Sequence, residues 1–343
     1  MRSLLNTLYV TTPGAWLGRD GETVAVRVEE DTKLRIPVHT LESIVCFGQV
    51  GCSPFLMGLC AERGVAMSFL TEHGKFLARV QGSVSGNVLL RRRQYRMTDN
   101  ADGSAAIARA IVLAKISNCR TVVLRGARER PDSDGANALE SAALRMRRIL
   151  EDLGTCDSVD GVRGHEGDAA RVYFEVFDHL ILAVKEQFFF RGRSRRPPLD
   201  NMNALLSFLY TLLTHDMISA LETVGLDPAV GYLHRERPGR PSLALDLVEE
   251  LRPVLADRLA LTVVNRQQVW AEGFRRLESG AVTMDEQTRK EVLSVWQKRK
   301  QEEIVHPFLG ERMPLGLVPY VQATLLARYL RGDLDGYPCF FWK

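Results

Sequence analysis

The sequence predicts an α+β protein: a β-rich N-terminal domain over residues 1–90, a short basic linker at 91–100, and a larger all-α-helical domain over 101–343. Three observations carry this. A chain of 343 residues is long for one hydrophobic core and comfortable for two domains. The first part holds short β-branched and aromatic runs separated by glycine and charged turns. At Arg91-Arg92-Arg93-Gln94-Tyr95-Arg96 the pattern changes, and beyond it apolar residues recur at helical spacing.

The expected strands lie at 8–10, 23–28, 43–47, 66–70 and 75–80, with turns at Arg19-Asp20-Gly21 and Glu72-His73-Gly74. Residues 23–28 alternate, as expected of a strand with one wet face. One helix interrupts: Ser53 caps it, Pro54 takes its first position, and the run from 55 to 62 stops at Gly64. Helices are then expected at 105–125, 135–153, 167–189, 198–224, 243–261, 266–277, 285–304 and 315–330. Thr283-Met284-Asp285-Glu286 is a good helix start. There is no internal repeat. The aromatic end, Gly336 to Trp342, is expected to dock on another surface.

Composition excludes several classes. No apolar run reaches the roughly 18 residues of a membrane span, and Met1-Arg2-Ser3-Leu4-Leu5-Asn6 turns polar at once, unlike a signal peptide. A cytoplasmic protein with no membrane partner is expected. The six cysteines, Cys46, Cys52, Cys60, Cys119, Cys156 and Cys339, contain no Cys-x-x-Cys pair, so neither a zinc site nor a disulfide framework is expected. A net charge of +3 says little by itself about nucleic acid.

The chemistry lies in three stretches. Glu166 sits in Gly164-His165-Glu166-Gly167-Asp168, just before an expected helix. An acid there has a plain explanation, since it offsets the helix dipole. His234 lies in the loop Gly231-Tyr232-Leu233-His234-Arg235-Glu236-Arg237. Asp246 and Glu249 are three apart on a helix that Ser242 can cap, so they share a face. Glu250 is turned about 100° from Glu249 and is expected in solvent or on an arginine. Carboxylates and an imidazole on separate segments can converge on Mg²⁺ or Mn²⁺. Such an ion stabilises charge on a phosphoryl oxygen. No serine or cysteine nucleophile pattern and no Walker-type phosphate loop is present. His215-Asp216 is a single dipeptide on an amphipathic helix, and its expected role is structural. Arginine clusters at 91–93, at Arg145, Arg147 and Arg148, and at Arg191, Arg193, Arg195 and Arg196 suggest, beside a metal site, a phosphate track, so the expected substrate is a phosphodiester of nucleic acid.

These blocks resemble the CRISPR-associated integrase of spacer acquisition, Cas family one. The resemblance runs from Leu4-Leu5-Asn6-Thr7-Leu8-Tyr9-Val10 through the block from Gly164 to Tyr173 and Arg195-Arg196-Pro197-Pro198-Leu199-Asp200-Asn201-Met202-Asn203. It continues from His234 to Pro253 and into the terminal Gly336 to Lys343. The opening and closing blocks resemble the type I-C branch. The resemblance implies that Glu166, His234 and Glu249 are metal ligands in a catalytic helical domain, with Asp246 an accessory acid. The last ligand is Asp in some members and Glu here. Asn201 and Asn203 sit in a matching block and are given no catalytic role, while DNA contacts are expected from Arg193, Arg195, Arg196 and Arg240, with Arg240 and Ser242 shaping the His234 loop. The resemblance further implies a homodimer made by the β-rich domain. Two such dimers would flank a dimer of the small second adaptation protein, Cas family two, in a heterohexameric complex that joins 3′-hydroxyl ends of short duplexes to CRISPR repeat boundaries.

Two other readings use the same residues. A stand-alone repair nuclease would cut branched DNA without joining it. A DNA-binding scaffold would need the arginines and not the acids.

Overall fold

The structure is a computed structural model that describes residues 6–72, 76–80, 82, 88–133 and 135–342. Leu4, Leu5, His73, Gly74, Lys75 and Lys343, used in the expectations above, lie outside the described residues. The chain is α+β, with a β-rich N-terminal region followed by a mostly helical remainder. It divides into two units: Met1–Gly86 with Met284–Glu302, and Asn87–Thr283 with Glu303–Lys343.

The first unit holds strands β1 (Thr7–Val10), β2 (Trp16–Asp20), β3 (Thr23–Val28), β4 (Asp31–Pro37), β5 (Ser43–Phe47), β6 (Gly51–Cys52), β7 (Ala66–Leu70) and β8 (Phe76–Val80). They form two four-stranded sheets, ordered β4-β3-β2-β6 and β1-β5-β7-β8. β5 is central and pairs in parallel with β1 and β7, which is why all five of its residues are buried. In β3 the expected alternation gives way, because Val24, Ala25 and Val26 are all buried before Arg27 emerges. β2, β4 and β6 were not expected. β4 is a charged, exposed edge strand, and such strands carry no apolar signal.

Helix α1 (Pro54–Arg63) is capped as expected: the Ser53 hydroxyl accepts from Leu56 N, and Gly64 closes it at φ 64°. Leu56 and Leu59 of α1 join Leu17, Val24, Ile44 and Met67 in the core. The helix that follows Asp285, here α9, belongs with the sheets, and its Gln297 amide donates to the Thr7 carbonyl.

The second unit contains α2 (Val88–Thr98), α3 (Ala101–Glu129), α4 (Ala136–Gly154), α5 (Val159–Glu175), α6 (Asn201–Val224), α7 (Ser242–Leu251), α8 (Arg258–Asn265) and α10 (Val318–Arg331), with α9 (Glu286–Gln301) falling in the first. Three expectations are corrected here. The basic stretch expected as a linker is helical through Thr98, and buried Gln94 donates to the Asp227 and Val230 carbonyls. Residues 266–277 are not an α-helix but a turn, a single 3-10 turn at Ala271–Gly273 and the strand Phe274–Arg276. The expected helix at 167–189 begins at Val159 and ends at Glu175. Gly161, Gly164 and Gly167 masked its first half, although Ser158 caps it by accepting from Gly161 N. Gly161 is required there, since a Cβ would stand 2.6 Å from Cys156 Sγ.

α7 runs through a π-helical turn (Arg252–Asp257) into α8. Pro253 lies in that turn, where its missing N–H breaks the regular ladder. α6 is the one described helix long and apolar enough, by length and composition alone, to cross a bilayer. It buries Leu205, Leu209, Leu213 and Met217 within the unit and packs on α10 and α7. All six cysteines carry free thiols, and burial pushes the Cys46 thiol up to about 12.

Candidate active site

Four segments of the helical unit bring the site together. α5 supplies Glu166, α7 supplies Asp246 and Glu249, the 231–241 loop supplies His234, and α3 supplies Lys115. Glu166 sits in the middle of α5 rather than at its start. Dipole compensation therefore does not explain it, because that effect fades beyond the first turn.

Asp246 is fully buried and fully used. Its Oδ2 accepts from Tyr232 N at 2.6 Å and Leu233 N at 3.0 Å. Its Oδ1 accepts from His234 N at 2.9 Å and lies 2.7 Å from His234 Nδ1. Four partners fill a carboxylate's acceptor positions. Asp246 thus shapes the loop and orients the ring. With Nδ1–H on Asp246, the lone pair of Nε2 faces Glu249, 3.8 Å from its Oε1. Gly231 is needed for this approach, since a Cβ there would stand 2.7 Å from Asp246 Oδ2. Ser242 does not cap α7 as expected. Its hydroxyl lies 3.3 Å from the Arg235 carbonyl, which Arg240 also approaches, so both residues brace the loop.

Glu249 is 3 % exposed and lies between two cations. Lys115 Nζ is 2.7 Å from its Oε2, and the Arg252 guanidinium donates to its Oε1. Burial disfavours the charge, but Arg252 and Lys115 outweigh it and hold the carboxyl below its usual range. Lys115 also donates to Glu166. Its pKa rises, because Glu249 and Glu166 overcome a desolvation that would lower it. Among the described residues no three His, Cys, Asp or Glu side chains close on one point at ligand distances. The point between the two carboxylates is held by the Lys115 ammonium. Two carboxylates that already share one cation, with an imidazole nitrogen beside them, make a donor set that fits a hard divalent cation.

The cleft beside Glu166 and His234 has a volume of about 300 Å³ and is rimmed by Arg163, Arg235, Arg237 and Arg240. Arg163 donates to the Leu233 carbonyl at 2.6 Å, tying α5 to the loop. Of the expected DNA-contacting arginines, Arg195 and Arg196 are exposed and Arg240 is half-buried at the rim. Arg193 departs from the expectation. It turns inward to Asn203 Oδ1 at 2.6 Å and Ser207 Oγ at 3.1 Å, and it lies over the Tyr210 ring. Buried Asn203 in turn donates to the Gly192 carbonyl and to Asp200, so it organises the arginine loop.

Glu250 also departs from expectation. It is buried, receives Phe340 N at 2.6 Å and the Tyr337 hydroxyl, and so anchors the C-terminal segment on α7. Asn118 of α3 holds the same segment, donating to the Phe340 carbonyl and accepting from Trp342 N. The aromatic end therefore docks on the helical unit.

Sequence reasoning assigned no role to Lys115 or Arg252. Lys115 is the single charge in the apolar run Ile111-Val112-Leu113-Ala114-Lys115-Ile116, and Arg252 follows Glu249 by three positions on one helical face. Both signals were present.

Fold and site together define a two-part α+β protein whose helical part carries an acid–histidine centre under an arginine rim. A family profile described as CRISPR associated protein Cas1 matches residues 8–298, and the chain belongs to that family. It is 53% identical over 343 residues to a CRISPR-associated endonuclease Cas1 of Chlorobaculum tepidum, covering all of both chains. It is 55% identical over 347 residues to one of Rhodospirillum rubrum, again with complete coverage. Among solved structures, a CAS1 protein from Thermotoga maritima aligns with TM-score 0.80 at 22% identity, covering 98% of this chain and 100% of that one. A casposase bound to integration product aligns with TM-score 0.83 at 22% identity, covering 96% and 92%. These two share the fold.

Proposed function

We propose that this chain is a metal-dependent DNA endonuclease and integrase of CRISPR adaptation, a part of antiviral defence. It joins the 3′-hydroxyl ends of a short duplex to repeat boundaries in the CRISPR array by transesterification. The observation that carries the reading is one cation, the Lys115 ammonium, held between Glu166 and Glu249, with His234 Nε2 3.8 Å from Glu249 Oε1. Complete-length similarity to Cas1 endonucleases supports it.

Glu166, His234 and Glu249 would hold Mg²⁺ or Mn²⁺, which supplies positive charge at the scissile phosphate and at the oxygens that attack and leave. Asp246 keeps the His234 ring in the tautomer that presents Nε2. Arg252 keeps Glu249 ionised as well as buried. Arg163, Arg235, Arg237 and Arg240 receive backbone phosphates at the cleft, and exposed Arg195 and Arg196 extend that track. One phosphodiester is exchanged for another, so no covalent protein intermediate is required.

The partners in this reading are double-stranded DNA, a second copy of the chain and the small second adaptation protein, in a heterohexamer. The shared fold with the casposase on its integration product, and with 36% of a chain in a Cas6-RT-Cas1–Cas2 complex, supports the DNA and Cas2 partners.

A strand-transfer assay tests the proposal. A labelled duplex with 3′-hydroxyl ends is mixed with a supercoiled plasmid carrying a repeat, Cas2 and Mn²⁺. Joined product that disappears with EDTA, with Glu166→Ala and with His234→Ala is the expected result. Cleavage without joining would favour a repair nuclease, and unchanged joining in both variants would overturn the site assignment.

A further inference from the structure

Among the described ion pairs, Lys115 is the cation that contacts both Glu166 and Glu249, and its charge has the same sign as the ion the acids would bind. It leaves α3 among Ile111, Val112, Ala114 and Ile116, all buried. Its side chain is 12% exposed. The ammonium bridges Glu166 and Glu249, which belong to different helices. Two carboxylates facing one another with no cation between them would repel, and burial would strengthen that repulsion. The bridge removes it.

We propose that Lys115 is an internal counter-cation: it holds Glu166 and Glu249 in register before a divalent ion arrives, and the ion must displace it to bind. The proposal rests on the reading of Glu166, His234 and Glu249 as the metal site. The charges around the bridge are Glu166, Asp246 and Glu249 against Lys115 and Arg252. Adding a divalent ion while the ammonium stays would place two positive centres within contact distance. The lysine stem has four flexible methylenes and can withdraw, whereas the planar guanidinium of Arg252 is stacked on Tyr210 and stays with Glu249. Lys115 is thus a positioning residue that sets the ion affinity of the acids and holds them in place before an ion binds.

A purely structural lysine would move stability and ion affinity together, whereas a counter-cation moves them in opposite directions. Removing the ammonium destabilises the metal-free protein, because Glu249 loses a charge partner in a buried place. It also removes the competitor, so Mn²⁺ binds more tightly.

The test uses the full chain, with Mn²⁺ affinity measured by calorimetry and electron paramagnetic resonance and thermal unfolding followed with and without Mn²⁺. For Lys115→Met we expect a lower melting temperature without metal, Mn²⁺ affinity raised roughly tenfold, and a larger melting-temperature gain on adding Mn²⁺ than in the wild type. Lys115→Arg keeps a cation and should stay near wild type in affinity, which covers the case in which Lys115→Met does not fold. Glu166→Gln is the control for the site. If Glu166→Gln abolishes Mn²⁺ binding while Lys115→Met binds Mn²⁺ no better than wild type, the counter-cation proposal is overturned and the site stands. If Lys115→Arg binds Mn²⁺ tenfold more tightly, the competition argument is likewise overturned. If Glu166→Gln leaves Mn²⁺ binding unchanged, the metal-site reading falls, and this proposal with it.

Discussion

The Asp246 carboxylate lies 2.7 Å from His234 Nδ1, and the same oxygen accepts the His234 backbone amide at 2.9 Å. One acid therefore sets both the backbone and the ring of the histidine. Asp246 and Glu249 share a helix face and were expected to act as near neighbours. The structure gives them separate tasks: one is spent on the loop, and the other faces the cation position.

Replacing Asp246 by Asn tests that division. An amide offers one acceptor oxygen, and its NH₂ must face backbone donors. We expect Mn²⁺ affinity to fall about 10- to 100-fold, the range seen when a ligand's orienting partner is lost, with strand transfer falling alongside. Calorimetric Mn²⁺ titration measures the first. Wild-type affinity in Asp246→Asn would show that the ring is oriented by something else.

Gly231→Ala should reproduce much of this effect without replacing a charged group. The new Cβ would meet Asp246 Oδ2 at 2.7 Å and Ser242 backbone at 2.8 Å, so the loop must move away from α7. A stability loss of about 1–3 kcal/mol is expected for such overpacking, together with weaker Mn²⁺ binding. Urea unfolding and the same titration would reveal a neutral substitution if the loop yields.

Asp257 predicts a pH dependence of folding. It is buried between the Tyr173 hydroxyl at 3.0 Å and the Tyr210 hydroxyl at 2.6 Å. Burial pushes its pKa up from 3.8 to about 6, against the pull of those hydrogen bonds and of Arg252 and Arg193. Between those values the folded state retains a proton that the unfolded chain has released, so this contribution to stability falls as pH rises through the window. Its full size is on the order of 3 kcal/mol. Asp257→Asn should flatten that part of the profile in urea unfolding run across the window, and an identical slope in the variant would remove Asp257 as its source.

The C-terminal anchor gives the last prediction. Glu250→Ala leaves the Phe340 amide and the Tyr337 hydroxyl without their acceptor in a buried place. A loss on the order of 3 kcal/mol is expected. Tyr337→Phe, which removes one hydroxyl, should cost about 1–2 kcal/mol. Denaturant midpoints would rank the two, and equal stability of Glu250→Ala and wild type would show that the anchor adds nothing.

Much of the architecture was legible from local pattern. Residues 43–47 and 66–70 are apolar strand runs, Ser53-Pro54 followed by Gly64 is a complete cap pair, and the helical period from Asn201 to Val224 is unbroken. The failures share a physical cause. The charged edge strand β4 and the glycine-interrupted start of α5 lack local signals, because hydrogen bonding and packing from elsewhere stabilise them. Local rules also place Glu250 in solvent, since the partners that bury it, Gln322, Tyr337 and Phe340, are 72, 87 and 90 positions away.

The sequence by itself determined the fold class, and it singled out Glu166, His234, Asp246 and Glu249, the acids and histidine of the candidate site. Helical spacing and ordered motifs are local information, and they survive without coordinates. Only the tertiary structure decided how those four divide their work, that Arg193 faces inward, and that Lys115 stands between two carboxylates. Those outcomes depend on distances between segments remote in the chain, where a carboxylate's few acceptor positions and the cost of burying an unpaired charge select one arrangement.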